Sequence, residues 1–254
     1  MTSSAVVAGF EATERIGVSA VMPAYEEGAA IEPVLRALSD ALAGTHEILV
    51  VVDSSTDSTA PVIERLGREV PGLRLVLNRR APGVLGALRT GMDEARGTWV
   101  LVTMADGSDD YAVLPRMLVL ARDGADVVAA SRYMRGGRQI GGPRFKRLMS
   151  RTAGLTLCWF AGVRTHDATN NFKVYSRRLL DGVTIESTAG FEIALELTVK
   201  AAASGYRIAE VPATWRDRTE GASHFRLRRW LPHYLRWYGY AFRARIRRAG
   251  NRGR

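Results

Sequence analysis

Glu47-Ile48-Leu49-Val50-Val51-Val52-Asp53 sets five consecutive apolar residues between two carboxylates. A strand with one wet face alternates polar and apolar side chains. An unbroken run needs cover on both faces, as in a parallel sheet clad by helices. Shorter runs of the same kind lie at 18–23, 73–77, 98–104 and 125–130. The segments between them have helical spacing. Residues 31–42 put Ile31, Val34, Leu35, Leu38 and Leu42 on one face, Ser58 or Thr59 would cap a helix through Leu66, and 84–95 and 114–123 follow the same period. The resulting β-α-β-α-β-α-β-α-β order predicts an α/β fold, a mostly parallel sheet with helices on both faces. After residue 131 the alternation fades. Helices are expected near 145–160 and 191–204, and a strand at 206–211.

In such sheets ligands gather beyond the carboxyl ends of the strands. Three of those ends are acidic here: 23–27, 53–55 and 105–110. Asp106, Ser108, Asp109 and Asp110 follow one strand directly. Carboxylates at that spacing share a hard divalent cation and leave room for substrate phosphate, or else they cap the next helix. Asp53 would accept hydrogen bonds from a nucleoside or close an Asx turn. Gly83, Gly86 and Gly91 open a helix, either for phosphate approach or for tight packing. Arg132, Lys146-Arg147, Lys173 and Arg216–Arg218 are basic groups suited to phosphate. The polar stretch 166–172 would line a sugar pocket or bond to its own backbone. No GxGxxG, P-loop or G-x-S-x-G pattern occurs.

The chain has 36 basic and 26 acidic residues, a net charge of +10. Ten arginines and no acid fall in 226–254, so the first 225 residues are balanced and the basicity belongs to a tail. Nucleic acid is therefore not an expected partner of the body. One cysteine, Cys158, excludes a disulfide framework and reads as a core residue. The longest apolar runs fall short of a membrane span, and the first residues lack a basic segment before an apolar one, so a cytoplasmic location is expected. Three parts are expected: a flexible leader at 1–17, a catalytic domain at 18–225, and a basic, aromatic, amphipathic helix and tail at 226–254. In that tail Leu227, Trp230, Leu231, Tyr234, Tyr238, Ala241 and Phe242 share a helical face, with Pro232 expected to bend or begin the helix. The face would pack on the domain or lie on an anionic membrane, which would make the protein peripheral on the cytoplasmic face.

Several motifs in order, VMPAYEE (21–27), VVDSSTDST (51–59), MAD (104–106), SDD (108–110), SRYMRGG (131–137), KRLMSR (146–151), DATNNF (167–172), GFEIALE (190–196) and RTEGASHF (218–225), span most of the chain. With them the sequence resembles family-2 glycosyltransferases of the GT-A fold, most closely the dolichol- or polyprenyl-phosphate mannose synthase branch. The resemblance implies a nucleotide-sugar donor, GDP-mannose or a UDP-sugar, held by Pro23, Ala24, Tyr25, Glu27 and Asp53. It implies Mg²⁺ or Mn²⁺ on Asp106, with Ser108 and Asp109 filling in because Met104 stands where the family has the first aspartate of D-x-D. Arg132, Lys146 and Ser150 map to acceptor phosphate positions, and Asp167 and Asn170 join that set. Arg218, Gly221 and Ser223 map to a loop that clamps donor phosphates, with His224 in place of its final lysine. Asp106, Arg132, Lys146 and Arg218 would carry catalysis. The implied reaction is an inverting, metal-dependent transfer of a sugar to a polyprenyl phosphate. A soluble or glycan hydroxyl acceptor is the alternative, and an inactive sugar-nucleotide binder or a nucleic-acid binder is the reading of another class. A nucleotidyltransferase would carry a glycine-rich basic signature where P-A-Y-E-E stands.

Overall fold

The computed structural model describes residues 16–217 and 227–252. Nine strands are described: β1 (Val18–Pro23), β2 (His46–Val52), β3 (Leu73–Leu77), β4 (Trp99–Val102), β5 (Val127–Ser131), β6 (Arg138–Ile140), β7 (Lys173–Ser176), β8 (Ile208–Pro212) and β9 (Thr214–Arg216). The helices are α1 (Ile31–Ala41), α2 (Ala60–Leu66), α3 (Val84–Glu94), α4 (Leu114–Arg122), α5 (Arg144–Ala161), α6 (Arg177–Gly182), α7 (Ile193–Ser204) and α8 (Leu227–Arg252). Seven strands form one sheet in the order β3-β2-β1-β4-β7-β5-β8, and β6 pairs with β9 apart from it. Within the large sheet only β7 is antiparallel to its neighbours β4 and β5.

The unbroken apolar strands are covered on both faces, as their pattern requires. Ala20, Met22, Ile48, Val50 and Val52 enter one core with α1, α2 and α4. Their alternates Val21, Leu49 and Val51 enter the other with α3, α7 and α8. On that second face Gly91 of the glycine run serves packing, whereas a Cβ on Gly83 would meet open space. A Cβ on Gly91 would stand 2.3 Å from Val21 and 3.1 Å from Val51.

Several expectations are revised. Ile16 and Gly17 already bond to the sheet margin, through Thr98 and through Thr45 and Trp99; the rest of the expected leader lies outside the described residues. Thr59 occupies the N-cap of α2, but its hydroxyl accepts from the Glu27 amide instead of capping. Cys158 is half-buried rather than core, and its neighbours Trp159 and Phe160 are exposed. Pro232 lies inside α8 rather than at its start.

The apolar side of α8 packs on the domain. It centres on Trp237 and Ala241, both buried, with Tyr234, Tyr238 and Phe242 partly buried beside them. Trp237 donates from its indole nitrogen to Ser187 Oγ at 3.1 Å, and the Lys200 ammonium lies 4.8 Å from its ring centroid. No described helix is long and apolar enough to cross a membrane. Because Trp237 fills a closed site, Trp237→Ala is expected to lower stability by about 3–5 kcal/mol, read from urea unfolding. A loss below about 1 kcal/mol would mean that α8 is not anchored through this ring.

Candidate active site

The carboxyl ends of β1, β2 and β4 lie side by side, since β1 pairs with both of the others. At the end of β1, Pro23 and Ala24 are buried and Tyr25 is 63% exposed. The turn that follows holds Glu26 at φ 53°, the single non-glycine residue with positive φ among those described. Buried Asp57 fixes it: both carboxylate oxygens accept from the Glu26 amide, at 3.2 and 3.1 Å, and Oδ1 also accepts from the Thr59 amide. Thr59 Oγ1 takes the Glu27 amide at 3.0 Å. Asp53 makes no Asx turn. Its two oxygens accept from Asn78 Nδ2 and from the Gly83 amide, each at 2.7 Å. Five residues assigned to the donor, Pro23, Ala24, Tyr25, Glu27 and Asp53, thus sit on one margin of the sheet.

The turn after β4 carries the acidic cluster. Asp106 Oδ1 accepts from the Ser108 amide. Asp109 folds back over the end of the strand, where its Oδ2 accepts from Thr103 Oγ1 at 2.8 Å and the Met104 amide at 3.0 Å. Its carboxyl therefore lies against the backbone of Met104, the position where a family aspartate is missing. Burial pushes the Asp109 carboxyl up to about 7; hydrogen bonds from Met104 and Thr103 oppose this, and the Asp106 charge adds to it. Asp110 neither caps a helix nor faces Asp109. It accepts from the Thr214 amide at 3.0 Å, and the Ser108 carbonyl accepts from the Arg216 amide, so β9 hangs from this turn.

Among the described residues no three His, Cys, Asp or Glu side chains form a metal cage. The donor set of Asp106 and Asp109 fits a hard divalent cation whose coordination is completed by water and substrate oxygens. Two neighbouring carboxylates, one of them desolvated, are the charge arrangement such a cation neutralises.

Across the sheet, Arg132 follows β5. Asp167, fully buried, accepts from the Arg132 amide at 3.0 Å, from Nε at 2.7 Å and from Nη2 at 2.9 Å. Arg132 Nη2 also reaches Ser150 Oγ and Thr169 Oγ1, which bond each other at 2.6 Å. Burial would raise the Asp167 carboxyl, but the Arg132 charge and hydrogen bonds outweigh it and hold it below its ordinary value. Asp167 is thus not an acceptor contact; it lies beneath Arg132 and sets its direction. Asn170 donates to the Ala130 carbonyl. His166 binds Glu210, so the 166–172 stretch is held by bonds to β5 and β8, distant in sequence, as well as by its own local bonds, and its Thr169, Asn170 and Asn171 reach a cavity.

That cavity, about 760 Å³, joins the two sides. Asp106, Ser108 and Asp109 are among its lining residues, together with Arg132, Lys146, Ser150 and Asn170. Leu148, Met149, Leu231, Tyr234 and Leu235 from α5 and α8 continue it as an apolar wall. Arg218, Gly221, Ser223 and His224 lie outside the described residues.

Two residues with a part in the site escaped the sequence reading: Asp57, and Lys173 as a buried group. Asp57 was signalled by a second carboxylate four places after Asp53. Lys173 was signalled by a charge opening an apolar run. Burial pulls the Lys173 ammonium down to about 7, with Asp167 opposing and Arg132 reinforcing the shift.

The pair makes a pH-dependent prediction. A depressed carboxyl contributes stability that is present above its unfolded pKa, about 3.9, and is lost as pH falls through the lower folded value. Asp167→Asn leaves Arg132 buried without its counter-charge, so it is expected to cost about 3–5 kcal/mol at pH 7. The difference from wild type should shrink below pH ~3.9. Denaturant unfolding at both pH values reads this, and a pH-independent difference would remove the charge pair as its cause.

The model described as Glycosyl transferase family 2 matches residues 19–183. The polyprenol monophosphomannose synthase of Mycolicibacterium smegmatis is 32% identical over 209 residues, 80% of this chain and 78% of that protein. The undecaprenyl-phosphate mannosyltransferase of Micrococcus luteus is 30% identical over 213 residues, 81% and 86% of the two chains. Among solved structures, glucosyl-3-phosphoglycerate synthase from Mycobacterium tuberculosis, in complex with Mn²⁺, UDP and glucosyl-3-phosphoglycerate, is similar with a TM-score of 0.60 at 19% identity. The match covers 93% of this chain and 81% of that one. TarS of S. aureus in complex with UDP-GlcNAc is similar with a TM-score of 0.63 at 17% identity, over 89% and 66%.

Proposed function

The chain belongs to glycosyltransferase family 2 and has the GT-A fold, and from that premise we propose that it transfers a sugar from a nucleoside-diphosphate donor to a polyprenyl phosphate, with inversion. The observation that carries this is that one cavity combines carboxylates, cations with hydroxyls, and an apolar wall. A cation-bound diphosphate suits the carboxylates, an acceptor phosphate the cations and hydroxyls, and a prenyl chain the apolar wall. The mannose-transferring relatives named for polyprenol and undecaprenyl phosphate support the same acceptor.

In this reading the margin built by Pro23, Ala24, Tyr25, Glu27 and Asp53 holds the nucleoside. Asp106 and Asp109, with Ser108 beside them, would hold Mg²⁺ or Mn²⁺, which neutralises charge on the departing diphosphate. Arg132, Lys146 and Ser150 orient the acceptor phosphate. Its oxygen bonds to the anomeric carbon as the bond to the diphosphate oxygen breaks, and the nucleoside diphosphate leaves with that electron pair. A phosphate monoester is ionised at neutral pH, so the attack needs no general base. Arg218 and Ser223 are proposed to close over the donor phosphates.

Trp237 and Ala241 of α8 are buried against the domain with Tyr234, Tyr238 and Phe242 partly buried beside them, so we extend the membrane contact expected of 226–254 to a neighbouring rim. Phe145 and Leu148, each 62% exposed, stand near the cavity beside the exposed arginines Arg144, Arg147 and Arg151. That rim, with the exposed arginines of α8, is the proposed seat on an anionic membrane.

The test is a panel of nucleotide sugars against polyprenyl phosphate, with and without Mn²⁺ or Mg²⁺, read as sugar label entering the organic phase. Asp106→Asn is expected to lower transfer at least about 10²-fold without changing the unfolding midpoint. Lys146→Ala should raise the acceptor KM and leave the donor KM unchanged. It is a cleaner probe than Arg132→Ala, which would strand Asp167 unpaired. Transfer to soluble alcohols but none to polyprenyl phosphate would move the enzyme to hydroxyl acceptors. Co-flotation with anionic but not neutral vesicles, weakened by Phe145→Glu with Leu148→Glu, is the expected membrane result. Undiminished flotation of that double variant would return the contact to α8.

A further inference from the structure

Lys173 is an ammonium where the sheet would ordinarily have an apolar side chain. It opens β7, opposite Val102 of β4 and Ala129 of β5, and it is fully buried. Since β7 runs against its neighbours, its first residue lies at their carboxyl ends, which is the catalytic edge. The Lys173 Nζ donates to the Ala168 carbonyl at 3.1 Å and to the Asn170 carbonyl. Both acceptors belong to the loop that carries Asp167 beneath Arg132 and presents Thr169 and Asn170 to the cavity.

Burying a charge is expensive, and a well-packed apolar residue of similar volume is often no worse for stability. A methionine would fill this volume without that cost. What the ammonium adds is direction: it draws two carbonyls of one short loop toward a single point. The Asp167 charge favours the charged form of this amine, against its burial.

We propose that Lys173 is a positioning residue for the anionic head of the acceptor: its buried ammonium sets the 167–171 loop, through which Arg132, Thr169 and Asn170 are held in the phosphate zone of the cavity. This rests on the acceptor reading above. It adds a residue that never touches the substrate, since Lys173 is sealed beneath the cavity floor.

The test compares Lys173→Met, which keeps volume and removes the charge and the donors, with the full-length wild-type chain. Farnesyl phosphate and farnesol serve as paired probes that differ in the phosphate alone. Lys173→Met is expected to weaken farnesyl phosphate binding at least about 10-fold, the worth of one charge-assisted hydrogen bond, and to leave farnesol binding unchanged. Hydrogen exchange across 167–171 should quicken, with little change in the unfolding midpoint. Wild-type affinities for both probes, or an equal loss for both, would overturn the proposal. Unchanged exchange in the loop would overturn it independently of any ligand. Should Lys173→Met fail to fold, Lys173→Gln, which keeps a donor without charge, carries the same comparison. If the wild type itself binds the two probes equally, the acceptor reading fails, and the exchange measurement still judges whether Lys173 sets the loop.

Discussion

Arg132 and Asp167 meet through three hydrogen bonds, one from the Arg132 backbone and two from its guanidinium. Their desolvation is costly, and the pairing offsets it only because the geometry is bidentate and the remaining donors find hydroxyls. That requirement organises much around it. It joins the end of β5 to the loop entering β7, and through Ser150 and Thr169 it joins α5 to both. The cavity between α5, α8 and the sheet edge is thereby walled by elements that lean on one ion pair.

The parallel half was legible because its strands are mostly apolar, with few polar interruptions such as Ser19 and Arg74, and each crossover helix shows a clear period. Buried on both faces, β2 displays the physics directly in Ile48–Val52. Strand β7 was not legible. It is four residues long, begins with a lysine and ends with a serine, and its pairing is settled by contacts distant in sequence. Strands β6 and β9 were hidden for a similar reason, three residues each with partly or fully exposed side chains. Pro232 does not begin α8 but falls in its second turn, and Tyr234, Trp237 and Ala241 pack the turns that follow against the domain.

The candidate site divides in the same way. Residues at strand ends, such as Asp53 and Asp106, could be placed from pattern, because topology delivers strand ends to one edge. Their partners could not. That Asp109 turns back toward Met104, that Asp110 holds β9, and that Asp167 lies under Arg132 instead of facing the cavity are matters of side-chain direction. Three aspartates thus have different tasks, two of them adjacent in sequence, and only the hydrogen bonds distinguish them.

The reversed strand β7 also divides the sheet order, with β3, β2, β1 and β4 on one side and β5 and β8 on the other. The margin assigned to the nucleotide lies on the first side, and Arg132 grows from the second. On the proposed reading, substitutions at the ends of β1 and β2 would act on the donor and substitutions on α5 and α8 on the acceptor, with a shared strand between the two sets, which amounts to modularity within a single domain.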